Sequence, residues 1–297
     1  MYDIIVVGMG IGGITSAIYA KRSNLKVLLL DKGMPGGLLN NIEKISNYPG
    51  LIDIPGPEFA ENLFKQIQDL KVDYKLEEVV KLDLKSNIKK VTTTNATYEG
   101  KNIILAMGRK PKFLGLDNEK DYLGRGLSTC AVCDGNFYKD APVAVVGAGS
   151  SALQESLYLS KIVSKVYLLN RRDGFRGENF LVEQVKNNPK IEIIYNVNIK
   201  EFNETDGKIT SILLDNSETL DVKGVFIYIG YRPDTEILKD YDILNEEGYI
   251  LVNDNLETSI KGVYAAGDVI KKDIYQLVTA ASEGATIIYK INQSNKD

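Results

Sequence analysis

Ile4-Ile5-Val6-Val7-Gly8-Met9-Gly10-Ile11-Gly12-Gly13 is the stretch that decides the fold. Four apolar residues in a row fit a strand buried on both faces, as in a parallel sheet. They run directly into Gly8, Gly10 and Gly13, spaced G-x-G-x-x-G. That spacing allows a tight turn, a close backbone approach to a pyrophosphate, and close packing of the following helix. Lys26-Val27-Leu28-Leu29-Leu30 predicts a second strand, and Asp31 ends it. A carboxylate there can accept hydrogen bonds from both ribose hydroxyls of an adenosine. Strand, glycine turn, helix, strand and terminal acid together predict a dinucleotide site. A glycine turn with a purely structural role is the competing reading.

The same unit occurs a second time. Val143-Ala144-Val145-Val146 leads to Gly147-Ala148-Gly149-Ser150-Ser151-Ala152, then a helix to about Lys161 and the strand Val166-Tyr167-Leu168-Leu169. Asn170 lies 23 residues after Gly147, as Asp31 lies 23 residues after Gly8. The copies differ at this position. The second ends in Asn170-Arg171-Arg172, with Arg176 one turn on. An acid there would repel a 2′-phosphate, whereas guanidinium groups can grip one bidentately. The second site therefore reads as one for NADPH rather than NADH or FAD. An exposed basic turn is the alternative.

Cys130-Ala131-Val132-Cys133-Asp134-Gly135 holds the only two cysteines of the 297 residues. Such a pair can close a small disulfide ring, and its thiols have easily shifted pKa values. The sequence contains no histidine. Proton transfer must then use a carboxyl, a Tyr, a Lys or water, and Asp134 is the nearest carboxyl. Two other readings exist. Zinc wants four Cys or His ligands and finds two cysteines here, so no metal site is expected. A staple across so short a loop constrains little of the unfolded chain.

Composition sets the outer bounds. The length suffices for two domains with real cores. A net charge of −4 and a pI near 5.2 argue against nucleic acid or an anionic membrane as partner. No apolar run approaches a membrane span. A strand pattern beginning at Tyr2 leaves no room for a signal peptide, and the expectation is a cytoplasmic protein in a reducing compartment. A helix is predicted from Pro57 to Leu70, strand-like pieces over 71–100, and a buried strand at Ile103-Ile104-Leu105-Ala106. Residues 191–230 read as a β-meander. Gly262-Val263-Tyr264-Ala265-Ala266-Gly267-Asp268 reads as a short strand ending in Gly-Asp, followed by a final helix over 275–292. Backbone N–H groups and a carboxylate in that arrangement can meet a cofactor's ribityl or phosphate portion.

The motifs in this order resemble the bacterial low-molecular-weight thioredoxin reductases. The resemblance rests on the Cys130–Gly135 run, Asn47-Tyr48-Pro49-Gly50, Gly147-x-Gly149-x-x-Ala152, Arg171-Arg172-x-x-x-Arg176 and Val263–Asp268, and covers nearly the whole chain. It implies an α/β fold of two Rossmann-like dinucleotide-binding domains, each a three-layer β/β/α arrangement, the second inserted in the first. The expected boundaries are 1–111 with 232–297 for FAD and 112–231 for NADPH and the Cys pair. It further implies a homodimer with thioredoxin or a thioredoxin-like protein as substrate. Gly8, Gly10, Gly13 and Asp31 would hold the adenosine end of FAD. Asp268, after Gly267, would meet the ribityl chain, and Asn47 and Gln276 would belong to the same site. Gly147, Gly149, Ala152, Arg171, Arg172 and Arg176 would bind NADPH. Cys133 would be the thiol next to the flavin, Cys130 the one that exchanges with the partner, and Asp134 the acid-base group.

The chain also departs from the family pattern. Ile11-Gly12 stands for Pro-Ala, Gly36-Gly37-Leu38-Leu39 for Gly-Gly-Gln-Leu, Asn170 for His, Met107-Gly108 for Thr-Gly, and Tyr275 for the Arg before Gln276. Three functions compete on this basis. One is an NADPH-dependent disulfide reductase. Another uses the same fold with a different electron route, with ferredoxin as donor or as a dithiol oxidase. The third is a dinucleotide-binding redox sensor without catalysis. The three arginines favour the first over the second, and Asp134 beside a complete Cys pair favours catalysis over sensing.

Overall fold

In the computed structural model, which describes residues 1–294, the opening apolar run is strand β1 (Tyr2–Val7). Helix α1 (Ile11–Arg22) starts directly after the glycine turn, and β2 (Val27–Asp31) pairs parallel to β1. Helix α2 (Gly56–Asp69) then leads to β3 (Asp73–Leu76), parallel to β2. An antiparallel run follows: β4 (Val79–Asp83), β5 (Lys89–Thr93) and β6 (Thr97–Leu105). The far end of β6 lies parallel to β1, with Ile103 opposite Ile5. The sheet order is β3-β2-β1-β6-β5-β4.

Side chains alternate across this sheet because successive strand residues point to opposite faces. Ile4, Val6, Leu29 and Ile104 join Ile14, Ala17 and Ile67 on the helical face. Ile5, Val7, Leu28, Leu30, Ile103 and Leu105 join Leu82, Leu84 and Val91 on the other. The central strands are apolar throughout because both faces are covered.

The chain divides into two compact units, Pro111–Tyr231 forming the second and the flanking segments the first. The crossing segments, β7 (Arg109–Pro111) and the later β16 (Tyr231–Pro233), pair as a short ribbon. In the second unit β8 (Leu127–Ser128) precedes a one-turn helix α3 (Ala131–Asp134) that carries Cys133. Then come β9 (Pro142–Val146), α4 (Ser150–Ser160), β10 (Lys165–Asn170), α5 (Asn179–Lys186) and β11 (Ile191–Tyr195). A meander of β12 (Ile199–Thr205), β13 (Lys208–Leu214) and β14 (Thr219–Asp221) follows, and β15 (Gly224–Ile227) closes the unit. The parallel order is β11-β10-β9-β15-β8. Val143 and Val145 face α4 and α5, while Ala144 and Val146 face the meander. Each unit is therefore a helix layer, a parallel sheet and a second β layer.

Back in the first unit, β17 (Val263–Ala265) adds parallel to β6, and α6 (Leu277–Ser294) follows. The final helix begins at Leu277 rather than at 275. Thr279 accepts the Gln276 N–H and its hydroxyl lies within reach of the Ile274 and Gln276 carbonyls, which holds residues 274–276 in a turn. No helix among the described residues is long and apolar enough to cross a membrane.

Helix α6 lies almost backbone-to-backbone on α1. A Cβ on Gly284 would sit 2.3 Å from the Gly12 carbonyl oxygen and 3.0 Å from Ser16 Oγ. Ser16 Oγ lies 2.9 Å from the Gly12 carbonyl and 3.3 Å from that of Gly284. Gly284→Ala should force these helices apart and destabilise the unit by about 1–3 kcal/mol, the usual cost of overpacking. A lowered urea midpoint checks this. An unchanged midpoint would show that the helices separate without cost.

Candidate functional site

The first unit holds the acid-terminated glycine turn. Gly8 has φ +111°, and a Cβ on it would strike the Ala106 carbonyl oxygen at 2.2 Å. A Cβ on Gly13 would lie 2.0 Å from the Gly8 carbonyl oxygen, so α1 packs tightly against the turn. Gly10 is different: open space lies where its Cβ would be. Gly10 also caps α1, and among the described residues no side chain is seen to take that helix's first N–H groups and no acid occupies its first turn. A glycine facing space at an uncapped helix start suits an approaching phosphate. Asp31 Oδ2 accepts the Met9 N–H at 2.6 Å and Oδ1 accepts the Gly33 N–H at 2.9 Å. Its remaining lone pairs can take further donors, as ribose hydroxyls are. Gly8, Asp31, Lys32, Val79 and Met107 help line a cavity of about 250 Å³. These residues fit the adenosine and pyrophosphate of a dinucleotide.

At the Gly-Asp turn, Asp268 Oδ2 accepts from Arg109 Nε at 3.1 Å and Nη2 at 2.7 Å. The Gly267 N–H is taken by Glu283 at 2.6 Å, which Lys272 also bridges at 2.9 Å. Asn47 donates to Gln276 Oε1 at 3.1 Å, bringing together two residues 229 positions apart. Tyr275 lies under the Arg109 guanidinium, 4.1 Å from its ring centroid, with the Tyr249 ring 5.9 Å away. Burial, then a hydrogen bond with Tyr249, raises the Tyr275 pKa above that of a free phenol. Arg109 carries no motif, and its only signal in the sequence is a charge directly after the strand-ending Met107-Gly108.

The second unit holds the cysteines. Cys130 and Cys133 form a disulfide with Cα atoms 5.4 Å apart. Cys130 caps α3, and its Sγ accepts the Cys133 N–H at 3.2 Å. A backbone N–H aimed at sulfur favours negative charge there once the bridge opens. Cys133 is exposed, whereas Cys130 is 8% exposed. Asp134 Oδ2 accepts from Ser128 Oγ at 2.6 Å. Between the cysteines, the Ala131 N–H donates to Tyr228 Oη at 2.7 Å. Burial, then the charge of Glu155, pushes the Tyr228 phenol far above its ordinary pKa and keeps it neutral. Ser128 and Tyr228 lie in no motif and enter the site only through folding.

The second glycine turn is in the same unit. A Cβ on Gly147 would lie 2.4 Å from the Tyr228 carbonyl oxygen. Gly149 caps α4, with open space at its Cβ and, among the described residues, no side chain seen on the helix's first N–H groups. Ala152 is fully buried in the third position of the fingerprint. Asn170, 1% exposed, shapes the arginine loop: Oδ1 accepts the Arg172 N–H at 3.0 Å and Nδ2 donates to the Gly174 carbonyl at 3.0 Å. The Arg176 N–H donates to the Ala148 carbonyl at 2.8 Å, tying the loop to the glycine turn. Arg171, Arg172 and Arg176 are exposed. The exposed loop that carries Arg171, Arg172 and Arg176 is thus tied to the second glycine turn, which fits a phosphorylated nucleotide.

Residues 2–285 match the family model of the pyridine nucleotide-disulphide oxidoreductases. A thioredoxin reductase of Bacillus subtilis is 37% identical over 290 residues, covering 96% of this chain and 92% of the relative. Among solved structures, the thioredoxin reductase of Lactococcus lactis matches with a TM-score of 0.93 at 34% identity, covering 99% of this chain and 98% of that one. The thioredoxin reductase of T. acidophilum matches with a TM-score of 0.91 at 31% identity, covering 100% and 99%.

Tyr228→Phe deletes the acceptor of a fully buried N–H and keeps the ring. Leaving such a donor unpaired costs about 1–3 kcal/mol. The variant should unfold at lower urea than the parent in both the disulfide and the dithiol state. Equal midpoints would mean that the Ala131 N–H finds another partner.

Proposed function

The chain belongs to the pyridine nucleotide-disulphide oxidoreductase family, and on that premise we propose that it is a disulfide reductase. It carries electrons from NADPH through FAD and the Cys130/Cys133 disulfide to oxidised thioredoxin or a thioredoxin-like protein. The observation that carries the reading is the closed Cys130–Cys133 bridge beside Asp134, in the unit that also holds the arginine loop. FAD, when bound, supplies the two-electron relay between nicotinamide and disulfide. Gly8, Gly10, Gly13 and Asp31 would hold its adenosine and pyrophosphate. Asn47, Gly267, Asp268 and Gln276 would lie along the rest of it.

The chain's own part is proton and charge control. The overall reaction takes NADPH, one proton and a disulfide to NADP+ and two thiols. The Cys133 N–H supports charge on Cys130 Sγ. Asp134 holds or gives the proton that distinguishes thiol from thiolate. By the family resemblance Cys130 would be the sulfur that exchanges with the partner's disulfide and Cys133 the one next to the flavin, while in this structure Cys133 is the exposed member of the pair. A homodimer in the cytoplasm is the setting that the family resemblance and the reducing chemistry support.

NADPH is the donor because Arg171, Arg172 and Arg176 form no salt bridge among the described residues. Three unpaired guanidinium groups on one loop add little to stability and suit a phosphate. Gly149, with open space where its Cβ would be, leaves room at the start of α4. These observations favour NADPH over ferredoxin as donor, and catalysis over sensing.

Anaerobic titration of the purified yellow protein with NADPH should bleach it, and added oxidised thioredoxin should restore the colour. Persistent yellow with NADPH but bleaching by dithionite would reject the donor. Arg→Ala at 171, 172 or 176 should weaken NADPH about ten- to hundredfold, since a charge-assisted hydrogen bond contributes roughly 1.5–3 kcal/mol, while NADH use stays level. Equal losses with both coenzymes would contradict the phosphate contact.

The sulfur roles are tested separately. Cys130→Ser should leave Cys133 as a lone thiolate and give the yellow protein a long-wavelength absorbance band. Cys133→Ser should lack it. A band in the second variant alone would exchange the two roles.

A further inference from the structure

Ser128 is buried, 3% exposed, at the end of β8, and three polar groups of the redox motif meet at its hydroxyl. Oγ accepts the Cys130 N–H at 3.0 Å. It lies 2.6 Å from Asp134 Oδ2 and 3.2 Å from the Cys130 carbonyl oxygen. A hydroxyl has one proton and two lone pairs. Two acceptors therefore compete for one proton, and one lone pair is left.

The arrangement has two complete solutions. With Asp134 ionised, the hydroxyl proton goes to the carboxylate, which is the nearer and charged acceptor. The Cys130 carbonyl keeps its own donor, the Asp134 N–H at 3.1 Å. With Asp134 protonated, its O–H donates to the free lone pair of Oγ along the same 2.6 Å line. The hydroxyl proton then turns to the Cys130 carbonyl. Each polar atom of the set is paired in both states, so neither state leaves a buried group unsatisfied.

We propose that Ser128 is a positioning residue for the thiol chemistry: its hydroxyl reverses between donor and acceptor so that Asp134 can take up and release a proton without moving from the cysteine pair. This rests on the reading of Asp134 as the acid-base group. The balance is simple. The proton that a cysteine thiol sheds on becoming a thiolate is the proton Asp134 gains. Ser128 keeps its own proton and changes its partner. Through the Cys130 N–H, the same hydroxyl holds the backbone of the cysteine that caps α3.

The other titratable groups around Asp134 are few. Tyr138 follows in the next turn and Tyr228 comes from the segment after β15, and the charge of Asp134 acts on both. From α4, Glu155 acts on Tyr228, and Tyr158 lies 3.5 Å from where a Cβ on Gly135 would sit. Both Tyr138 and Tyr228 have pKa values raised by burial, so they stay neutral as Asp134 changes state.

The test is the pH profile, from about pH 5 to pH 9, of thiol–disulfide exchange by the reduced, FAD-loaded, full-length protein. The probe is 5,5′-dithiobis(2-nitrobenzoate), read by release of thionitrobenzoate. Ser128→Ala should move the acidic limb about one pH unit upward and slow exchange five- to fiftyfold. In an Asp134→Asn background it should cause no shift of the profile and slow exchange much less, through the lost partner of the Cys130 N–H alone. Ser128→Thr and Ser128→Val have the same shape, so Thr should keep the parent profile and Val should match Ala if the hydroxyl matters. Equal slowing by Ser128→Ala with and without Asp134→Asn, or a parent-like profile in the Ala and Val variants, overturns the proposal. A parent-like profile in Asp134→Asn alone removes the acid-base reading of Asp134, and the proposal with it.

Discussion

At the first glycine of each fingerprint, a glycine hydrogen faces the carbonyl oxygen just past a neighbouring strand, which a methyl group would strike. At Gly8 the oxygen belongs to Ala106, and at Gly147 to Tyr228. The surroundings repeat bond for bond. The Gly8 N–H donates to the Leu30 carbonyl at 2.7 Å, and the Gly147 N–H to that of Leu169 at 3.0 Å. The Ala106 N–H donates to the Val7 carbonyl at 2.7 Å, and the Tyr228 N–H to that of Val146 at 2.8 Å. Each glycine is therefore pinned between the C-terminal ends of two neighbouring strands while the chain turns into a helix. No Cβ fits, and at Gly8 the positive φ would strain any other residue as well. Both helix starts, and the open space at Gly10 and Gly149, depend on this crossing of strand ends.

The two copies part company one strand later, and the reason lies in hydrogen-bond chemistry. Asp31 is an acceptor at both oxygens, and two backbone N–H groups already hold it in place. Whatever completes its shell must donate, and a phosphate cannot. Asn170 divides into an acceptor and a donor, and it spends them on the Arg172 N–H and the Gly174 carbonyl. The amide thus builds a loop where the carboxylate would hold a ligand, and the loop presents the arginines. One heavy atom's difference between the two side chains separates a carboxylate held by two backbone N–H groups from an amide that folds the arginine loop.

The layered fold, its repeat and the dinucleotide fingerprints were legible because they rest on local pattern. Apolar runs, glycine spacing and the residue ending the second strand are all neighbours in sequence. The cysteine pair was legible for the same reason. Asn170 appeared as the residue ending the repeat's second strand and as a departure from the family pattern, while its loop-shaping bonds are visible only in the fold. Ser128, Tyr228 and Arg109 carried no such signal. Tyr228 meets the Ala131 N–H across 97 positions, and Arg109 meets Asp268 across 159. Contacts of that span follow from which strands lie side by side, and a single sequence records that only weakly.

Tyr275 shows how a departure can mislead when read one position at a time. The family pattern has Arg there, so a tyrosine reads as a change close to the flavin and the NADPH route. In the fold the ring packs against a cation that comes from another segment. Arg109 places two nitrogens on Asp268 Oδ2 and its guanidinium over the Tyr275 ring. The ring and the carboxylate constrain the same guanidinium from two directions, which favours one orientation for all three groups. With one face against Arg109 and Tyr249 alongside, the Tyr275 ring is held rather than free to swing. Changing residue 275 alone would therefore disturb the partner of Asp268 as well as the ring.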